Sequence, residues 1–403
     1  MREEAQAALE FIAGKAVTNL VVALPVVATA EWSDAEVLAR LQAGEIRIQE
    51  AAVHAAGERG LTNAVPVLTG LLDDEDERLR GAVCGALATL RAGAPAVARR
   101  LTVEPSARIR RAAVAVLLAV HDAATLRLVQ ELLGHARWQA REAAAATLAA
   151  WGDRSQALGL VPLLSDESEA VQVAAARGLA VLRHPATEAA LRERLPAVAD
   201  PVKVSILEAL GALGSRAAVP AMVAFVKGTN DVVGVAAAKA LRSIEHEAIV
   251  PAFREIIFKV SYWQLETRVE VLRQLRERGD DGLADRMVQF VTEKVVPPPP
   301  MGLGPMYDSV EARMEALRYL QRFGRPEHGA RLWDRLTEVV PVEMRPLLAE
   351  TLTKLTGRRY QPLPDQNYRR YFVESLGPPP WPPTPVPGVQ LEQPPGQPRR
   401  EQQ

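Results

Sequence analysis

The stretch QAREAAAATLAAW at residues 139–151 recurs in altered form as AVQVAAARGLAVL at residues 170–182, and this recurrence decides the fold. Six such segments begin between residues 78 and 232, and we call the second residue of each one its anchor. The anchors, spaced 30 or 31 positions apart, are Leu79, Ile109, Ala140, Val171, Val202 and Val233. An apolar residue follows each anchor after four positions and a leucine after eight. Because these positions share one helical face, each segment is predicted to be an amphipathic helix.

A shorter first helix is predicted before each of these second helices. Pro66 and Pro220 stand 13 residues before an anchor, near a helix start where the missing proline N–H is tolerated. Acidic residues between the two helices are expected to cap the second helix. These residues are Asp73, Asp74, Glu75, Asp76, Asp166, Glu167, Asp200 and Asp231. A hairpin of this size cannot bury its apolar faces alone, so neighbouring hairpins must stack.

This cadence resembles the short bacterial HEAT-like repeats of the phycobilisome-lyase type, and the resemblance extends over residues 34–357. It implies an all-α, right-handed α-solenoid of about ten HEAT-type helical hairpins. Less regular repeats are placed around Ile48, Thr267, Ala312 and Met344. Since HEAT arrays serve many unrelated functions, the repeat predicts the fold and leaves the function open.

Four regions are predicted along the chain. Residues 1–33 form an N-terminal capping segment, 34–357 the repeats with a Pro-rich insertion at 296–306, 358–377 an aromatic C-terminal cap, and 378–403 a disordered Pro-rich tail. The insertion and the tail could be protein ligands or spacers. Residues 16–30 are apolar but too few to cross a bilayer. They follow a net-negative stretch, so we expect a cytoplasmic protein, with export behind a misassigned start as the alternative.

Residues typical of catalysis are scarce. The formal charge of −1 gives no chain-wide attraction to nucleic acid, and the single cysteine, Cys84, is expected to be buried and unreactive. The six histidines form no metal-ligand pattern, and His121, His184 and His246 are expected to cap carbonyls at helix ends. We therefore predict neither a cofactor nor a catalytic activity. An enzyme or enzyme subunit of the lyase type is the alternative.

Basic residues follow the anchors in most repeats. This set comprises Arg80, Arg110, Arg141, Lys203, Arg268, Arg313 and Arg345. We expect them to pair with the acidic turns of neighbouring repeats. A denser basic patch comprises Arg99, Arg100, Arg108, Arg110 and Arg111. Intramolecular ion pairs are the first interpretation of this patch, and a nucleic-acid groove or a docking site for an acidic protein segment are the alternatives.

The functional prediction is a non-catalytic scaffold or adaptor that binds another protein on the concave face lined by second helices. Nucleic acid is the less favoured partner, and we expect a monomer or a member of a hetero-complex. The candidate protein-binding residues are Tyr262, Trp263, Arg268 and Tyr307, because aromatic side chains near a turn and a projecting loop are typical of interfaces. Trp263 and Tyr307 are expected to be partly exposed on one side of the array.

Overall fold

A computed structural model describes residues 29–258, 265–293, 309–335 and 341–357. Within these ranges all regular structure is helical, and it forms ten consecutive helical hairpins. The chain divides into two compact units, the first ending at Ser215 and the second beginning at Arg216. The all-α hairpin architecture predicted from the sequence is thus confirmed.

The first unit contains six hairpins, each made of a first and a second helix. They are α1 (Asp34–Arg40) with α2 (Ile46–Glu58), α3 (Val65–Gly70) with α4 (Glu77–Leu90), α5 (Ala94–Leu101) with α6 (Ala107–Ala119), α7 (Ala123–Leu132) with α8 (Trp138–Trp151), α9 (Ala157–Leu160) with α10 (Glu169–Leu182), and α11 (Glu188–Arg194) with α12 (Asp200–Leu213). Several first helices are short and continue as 3₁₀ turns, as at Leu71–Asp73 and Val161–Ser165. The second helices are the longer and more regular members.

The second unit contains the remaining four hairpins. They are α13 (Val219–Lys227) with α14 (Asp231–Leu241), α15 (Ile249–Phe258) with α16 (Leu265–Glu277), α17 (Ala284–Thr292) with α18 (Val310–Phe323), and α19 (Pro326–Arg335) with α20 (Arg345–Thr356). The repeats predicted around Thr267, Ala312 and Met344 correspond to α16, α18 and α20. Within each unit, every second helix packs against the second helix of the next hairpin and against its own first helix.

The apolar face defined by the anchors forms the core. All six anchors are buried, and the leucines eight positions after them have no exposed surface. Leu148 and Leu179, for example, are both 0% exposed between neighbouring hairpins. Larger side chains fill the same role in the second unit, where Phe253, Tyr319 and Trp333 are buried. The repeat register read from the sequence is therefore correct.

The helix starts agree only in part with the predicted acidic capping. Asp76 caps α4, since its carboxylate accepts hydrogen bonds from the backbone N–H groups of Arg78 and Leu79 at 2.7 and 3.0 Å. At α14 the cap is Asn230, which accepts from the N–H of Val233.

Asp231 instead caps the next second helix, accepting from the N–H groups of Glu266 and Thr267 at 2.9 and 2.8 Å. Gly234 permits this close approach, because a Cβ there would lie 2.5 Å from the Thr267 hydroxyl.

The histidines were predicted to cap the carbonyls at the ends of the preceding helices, and this prediction was wrong. The Nδ1 atoms of His184 and His246 accept hydrogen bonds from the backbone N–H groups of Ala186 and Ala248, so they cap the segment that follows and not the carbonyls that precede. His184 occupies the N-cap position of the next 3₁₀ turn, whose first N–H groups have no helical acceptor. His121 makes no such cap and stacks on Trp151 with ring centroids 4.6 Å apart.

Replacing Leu148 or Leu179 by alanine should lower the free energy of unfolding by about 2–5 kcal/mol, because a cavity would open between two packed hairpins. Urea denaturation followed by circular dichroism measures this loss. Leu158→Ala is the matched control, since Leu158 lies on α9 and is 53% exposed. A loss at Leu158 as large as the loss at Leu148 would contradict the packing described.

Candidate protein-interaction surface

Two of the basic residues that follow the anchors join one hairpin to the next. The guanidinium of Arg80 donates two hydrogen bonds of 2.9 Å to the carboxylate of Glu104, which lies in the turn of the following hairpin. Arg141 bonds in the same way to Asp166, at 2.6 and 2.7 Å. Each arginine also donates to two carbonyls of its own turn. The predicted pairing with acidic turns is confirmed at these two positions.

Other members of the set take different partners. Arg110 donates to the carbonyls of Glu104 and Pro105 in its own turn, at 3.3 and 2.7 Å. The next turn, at Gly134 and His135, offers no carboxylate at the position that Glu104 and Asp166 occupy for Arg80 and Arg141. Lys203 lies 3.3 Å from Asp200 on its own helix. The expected bridge to a neighbouring acidic side chain is therefore not formed by Arg110.

The buried carboxylates are held in their charged form. Burial by itself would raise the pKa of Glu104, but hydrogen bonds from Arg80, the Ser106 N–H and Arg100 lower it below the ordinary value. Burial by itself would also raise the pKa of Asp166. Hydrogen bonds from Arg141 and from the Ser168 N–H outweigh this effect, so the pKa of Asp166 is lowered. These pairs are structural elements of the stack.

Two arginines of the basic patch predicted in the first unit form ion pairs of this kind within the protein. Arg100 pairs with Glu104 at 2.9 Å and with Asp73 at 3.3 Å, and Arg108 lies 3.3 Å from Glu77. Of the other patch members, Arg110 contacts the turn carbonyls, Arg111 is half-buried, and Arg99 is exposed. This geometry supports the interpretation of the patch as mainly intramolecular.

The candidate aromatic site is only partly within the described residues. Tyr262, Trp263 and Tyr307 lie outside the described residues, so their exposure stays a prediction. Arg268 is 3% exposed, and its guanidinium lies 4.6 Å from the centroid of the Phe290 ring. Arg268 therefore supports the packing of its hairpin and is not available to a partner. Its position directly after the buried anchor Thr267 is the physical reason.

A different surface in the second unit has the composition of a binding site. Glu270 and Glu315 lie three positions after their anchors and are buried, at 2% and 3% exposure. Arg242, the residue directly after α14, and Arg273 of α16 donate to Glu270, at 2.8 and 2.9 Å. Arg276 of α16 reaches Glu315 at 3.4 Å.

Two further arginines complete this network. Arg273 also lies 3.8 Å from Glu315, and Arg318 of α18 donates to Glu315 at 2.6 Å. The ion pairs thus connect three successive second helices.

The guanidinium groups of this network remain accessible above the buried carboxylates. The side chains of Arg242, Arg273, Arg276 and Arg318 are 48%, 37%, 25% and 41% exposed. We call these four arginines, with the exposed residues Lys239 and Arg322 on the same helical faces, the basic ridge. A half-buried apolar row, Val235, Val269 and Met314, lies two positions after the anchors and runs beside it.

Sequence reasoning missed the basic ridge. The signal was present, because the position three residues after the anchor is small in the six regular repeats (Ala82, Ala112, Ala143, Ala174, Ser205 and Ala236) and a glutamate in these two. A charged residue at a position reserved for a small one requires partners, and the arginines provide them. The arginines come six or nine positions after an anchor, which places them on the same helical face as the glutamates.

The described residues give no indication of catalytic chemistry. Among them, no group of three or more His, Cys, Asp or Glu side chains is arranged to hold a metal ion. Burial raises the pKa of the Cys84 thiol to about 12, so it is not a nucleophile at neutral pH. Within the same ranges, no helix is both long and apolar enough to span a membrane. The basic ridge offers charge, hydrogen-bond donors and apolar contact.

Comparison with known families identifies the repeats. Residues 35–119, 125–203 and 157–242 match the family model described as HEAT repeats, which together is about half of the chain. No curated protein sequence is significantly similar to the chain. A chain from the complex of CpcE and CpcF of phycocyanin lyase from Nostoc aligns with 63% of this chain and across 99% of its own length, at 21% identity. Its TM-score is only 0.31. That value is too low to support an argument about function.

Two solved structures with higher TM-scores are those of importin beta and of the karyopherin Kap121p. Importin beta matches 83% of this chain with a TM-score of 0.56 at 14% identity, and 56% of that chain is covered. The karyopherin Kap121p, bound to the extreme C-terminus of the protein phosphatase Cdc14p, matches 88% of this chain with a TM-score of 0.51 at 10% identity, and 45% of that chain is covered. This chain therefore spans about half the length of these proteins. At such identities the likeness shows the fold alone.

Disrupting the Arg80–Glu104 pair should be strongly destabilising. Glu104→Gln should cost about 3–5 kcal/mol at neutral pH, since it leaves buried Arg80 without its counter-charge. The double variant Arg80→Met with Glu104→Gln should cost less than the sum of the single variants. Urea denaturation of the three variants measures this. Glu77→Gln, which removes an exposed partner of Arg108, is the control and should shift the urea midpoint far less.

The stabilisation by Glu104 should depend on pH. Because the pKa of Glu104 is lowered in the folded protein, its contribution is complete above the unfolded value near 4.5 and is lost as the pH falls through the folded pKa. The difference in unfolding free energy between the wild type and Glu104→Gln should therefore shrink as the pH is lowered below 4.5. A difference that does not change over this range would contradict the assignment of a charged, buried Glu104.

Cys84 should be unreactive in the folded protein. Ellman's reagent at pH 8 should label almost none of the native chain, because the thiolate is the reacting form and burial suppresses it. The same reagent in concentrated urea should titrate the single thiol fully. Rapid stoichiometric labelling without denaturant would show that α4 is not packed as described.

Proposed function

Because this chain belongs to the HEAT-repeat family, we propose that it is a non-catalytic scaffold that binds another protein through the exposed faces of its second helices. The observation that carries the proposal is the basic ridge with its apolar row, where charged and apolar side chains share one face over three adjacent helices. Interfaces of proteins combine these two properties, and arginine is among the residues enriched in them. A cytoplasmic location accompanies the proposal as an expectation.

The packing of the second helices supports this role. Their anchors and leucines are buried, so the backbone positions of the outward side chains are fixed before a partner arrives. A preformed surface loses less conformational entropy on binding than a flexible one. The array therefore favours recognition of a macromolecule by many small contacts.

The comparisons with solved structures are compatible with a protein partner. Kap121p was crystallised with the C-terminal end of another protein, which indicates that a related fold can hold such a segment. The partner of this chain is not inferred from that protein, since the identity is 10% and 45% of the Kap121p chain is covered. Tyr262, Trp263 and Tyr307 remain part of the proposal as additional contact residues.

Site-specific photocrosslinking tests the proposed function. Benzoylphenylalanine at Val235 or Met314, in the apolar row, should yield a discrete crosslinked protein in the native cell. The control position is Ala221, an exposed residue on α13 in the same hairpin as Val235. Because the second-helix face is the proposed interface, Ala221 should yield no such product. Crosslinks from Ala221 alone, or no protein crosslinks at all, would refute the proposal.

Nucleic-acid binding is the competing outcome. Fluorescence anisotropy with a labelled DNA duplex at several salt concentrations measures it directly. Salt-dependent micromolar binding, together with the absence of protein crosslinks, would reassign the function. A protein crosslink without measurable DNA binding would support the scaffold.

A further inference from the structure

We propose that the basic ridge of the second unit binds an acidic, extended segment of a partner protein. This inference rests on the proposed scaffold function and specifies the chemistry of the partner and the place where it binds. It concerns α14, α16 and α18, all of which belong to the second unit.

The charges in the ridge are unbalanced in favour of cations. Four arginines share two buried carboxylates, Glu270 and Glu315, and Lys239 and Arg322 add two exposed cations. The carboxylate of Glu277, 4.0 Å from the Nε of Arg242, offsets one of these positive charges. Positive charge therefore exceeds negative charge on this face. An anionic partner is the complement expected for such a surface.

The geometry of the arginines suits carboxylates in particular. A guanidinium has five N–H donors, and each of the four arginines around the buried glutamates uses one of them for a hydrogen bond to Glu270 or Glu315. The side chains are between 25% and 48% exposed, so other donors are open to a ligand. The buried glutamates fix the guanidinium planes, which lowers the entropic cost of forming paired hydrogen bonds to a carboxylate.

The spacing of the helices defines the form of the segment. Packed helices lie about 8–10 Å apart, and a chain in the extended polyproline II conformation advances about 3.1 Å per residue with about three residues per turn. A segment in this conformation that crosses the second helices would therefore meet a new helix about every three residues, each time with the same face. A segment of about nine residues with Asp or Glu at every third position would place one acid at each of α14, α16 and α18. Apolar side chains between the acids would contact Val235, Val269 and Met314.

A nucleic acid fits the ridge less well than an acidic protein segment. Duplex DNA carries about one charge per 1.7 Å and needs a long basic track, whereas the ridge contains two fixed glutamates and an apolar row. In the first unit the position six residues after the anchor is Gly85, Ala115, Ala146, Arg177 or Glu208. The run of cations is thus specific to Lys239, Arg273 and Arg318 in the second unit.

Fluorescence anisotropy of the full chain with defined peptides tests the inference. The probe is a fluorescein-labelled twelve-residue peptide with glutamate at every third position and valine and serine between. The control probes are the same peptide with glutamine for glutamate and a labelled DNA oligonucleotide. We expect the glutamate peptide to bind at least tenfold more tightly than the glutamine peptide at 50 mM NaCl, and about tenfold more weakly at 300 mM NaCl because of screening.

Variants locate the binding on the ridge. The double variant Lys239→Gln with Arg322→Gln removes two exposed cations that hold neither buried glutamate, and it should weaken peptide binding about tenfold. Arg273→Gln with Arg318→Gln should weaken it further, and circular dichroism reports whether this pair still folds. The charge-matched control is Arg192→Gln with Arg325→Gln, at exposed positions on α11 and before α19. This control should bind as the wild type does.

The outcomes separate the inference from the function on which it rests. Equal binding of the glutamate and glutamine peptides, or equal loss in the ridge and control variants, overturns the inference. Tighter binding of the DNA oligonucleotide than of the glutamate peptide also overturns it. If the peptide does not bind while Val235 still crosslinks a protein, the scaffold function stands and the acidic partner is wrong. If neither occurs, both proposals fail.

Discussion

The fold depends on one constraint, which is that a single helical hairpin cannot cover its own apolar face. The anchors and the leucines eight positions later become fully buried only when a neighbouring hairpin is added. Each buried leucine contributes roughly 1.5–3 kcal/mol by its removal from water, so stability accumulates hairpin by hairpin. The period of 30 or 31 residues keeps this face aligned from one helix to the next.

Polar contacts refine this stack, although they do not create it. The guanidinium of Arg80 is charged at every accessible pH, so its burial requires that Glu104 and the turn carbonyls satisfy it. Such a pair contributes little net stability, because desolvation of both charges offsets their attraction. The pair does disfavour any shift of one hairpin along the next, since misalignment would leave a buried charge without its counter-ion. Arg110, which is only half-buried, contacts backbone carbonyls and the Trp138 ring instead of a carboxylate.

The sequence predicted the fold better than it predicted the candidate surface, and the reason is physical. A buried leucine such as Leu148 or Leu179 recurs at a constant spacing, so every repeat gives the same evidence for the fold. The partners of Arg110 and Asp231, in contrast, depend on short turns whose lengths and caps differ between repeats. Arg268 was misassigned to the surface because it follows a turn in sequence, whereas its place directly after an anchor buries it.

The same periodicity indicates where recognition can reside. The residues at positions zero, four and eight after the anchor are buried in the stack. A partner can therefore be contacted only by residues on the opposite face of the helix. In the first unit that face is built largely of small residues such as Gly85, Ala115 and Ala146, which offer little charge or area. In α16 and α18 the small residue three positions after the anchor is replaced by a buried glutamate, and the arginines around it become both its counter-ions and the exposed surface. A glutamate buried at this position lowers the stability of the stack, because its charge must be removed from water. A binding role for the arginines that neutralise it accounts for its presence.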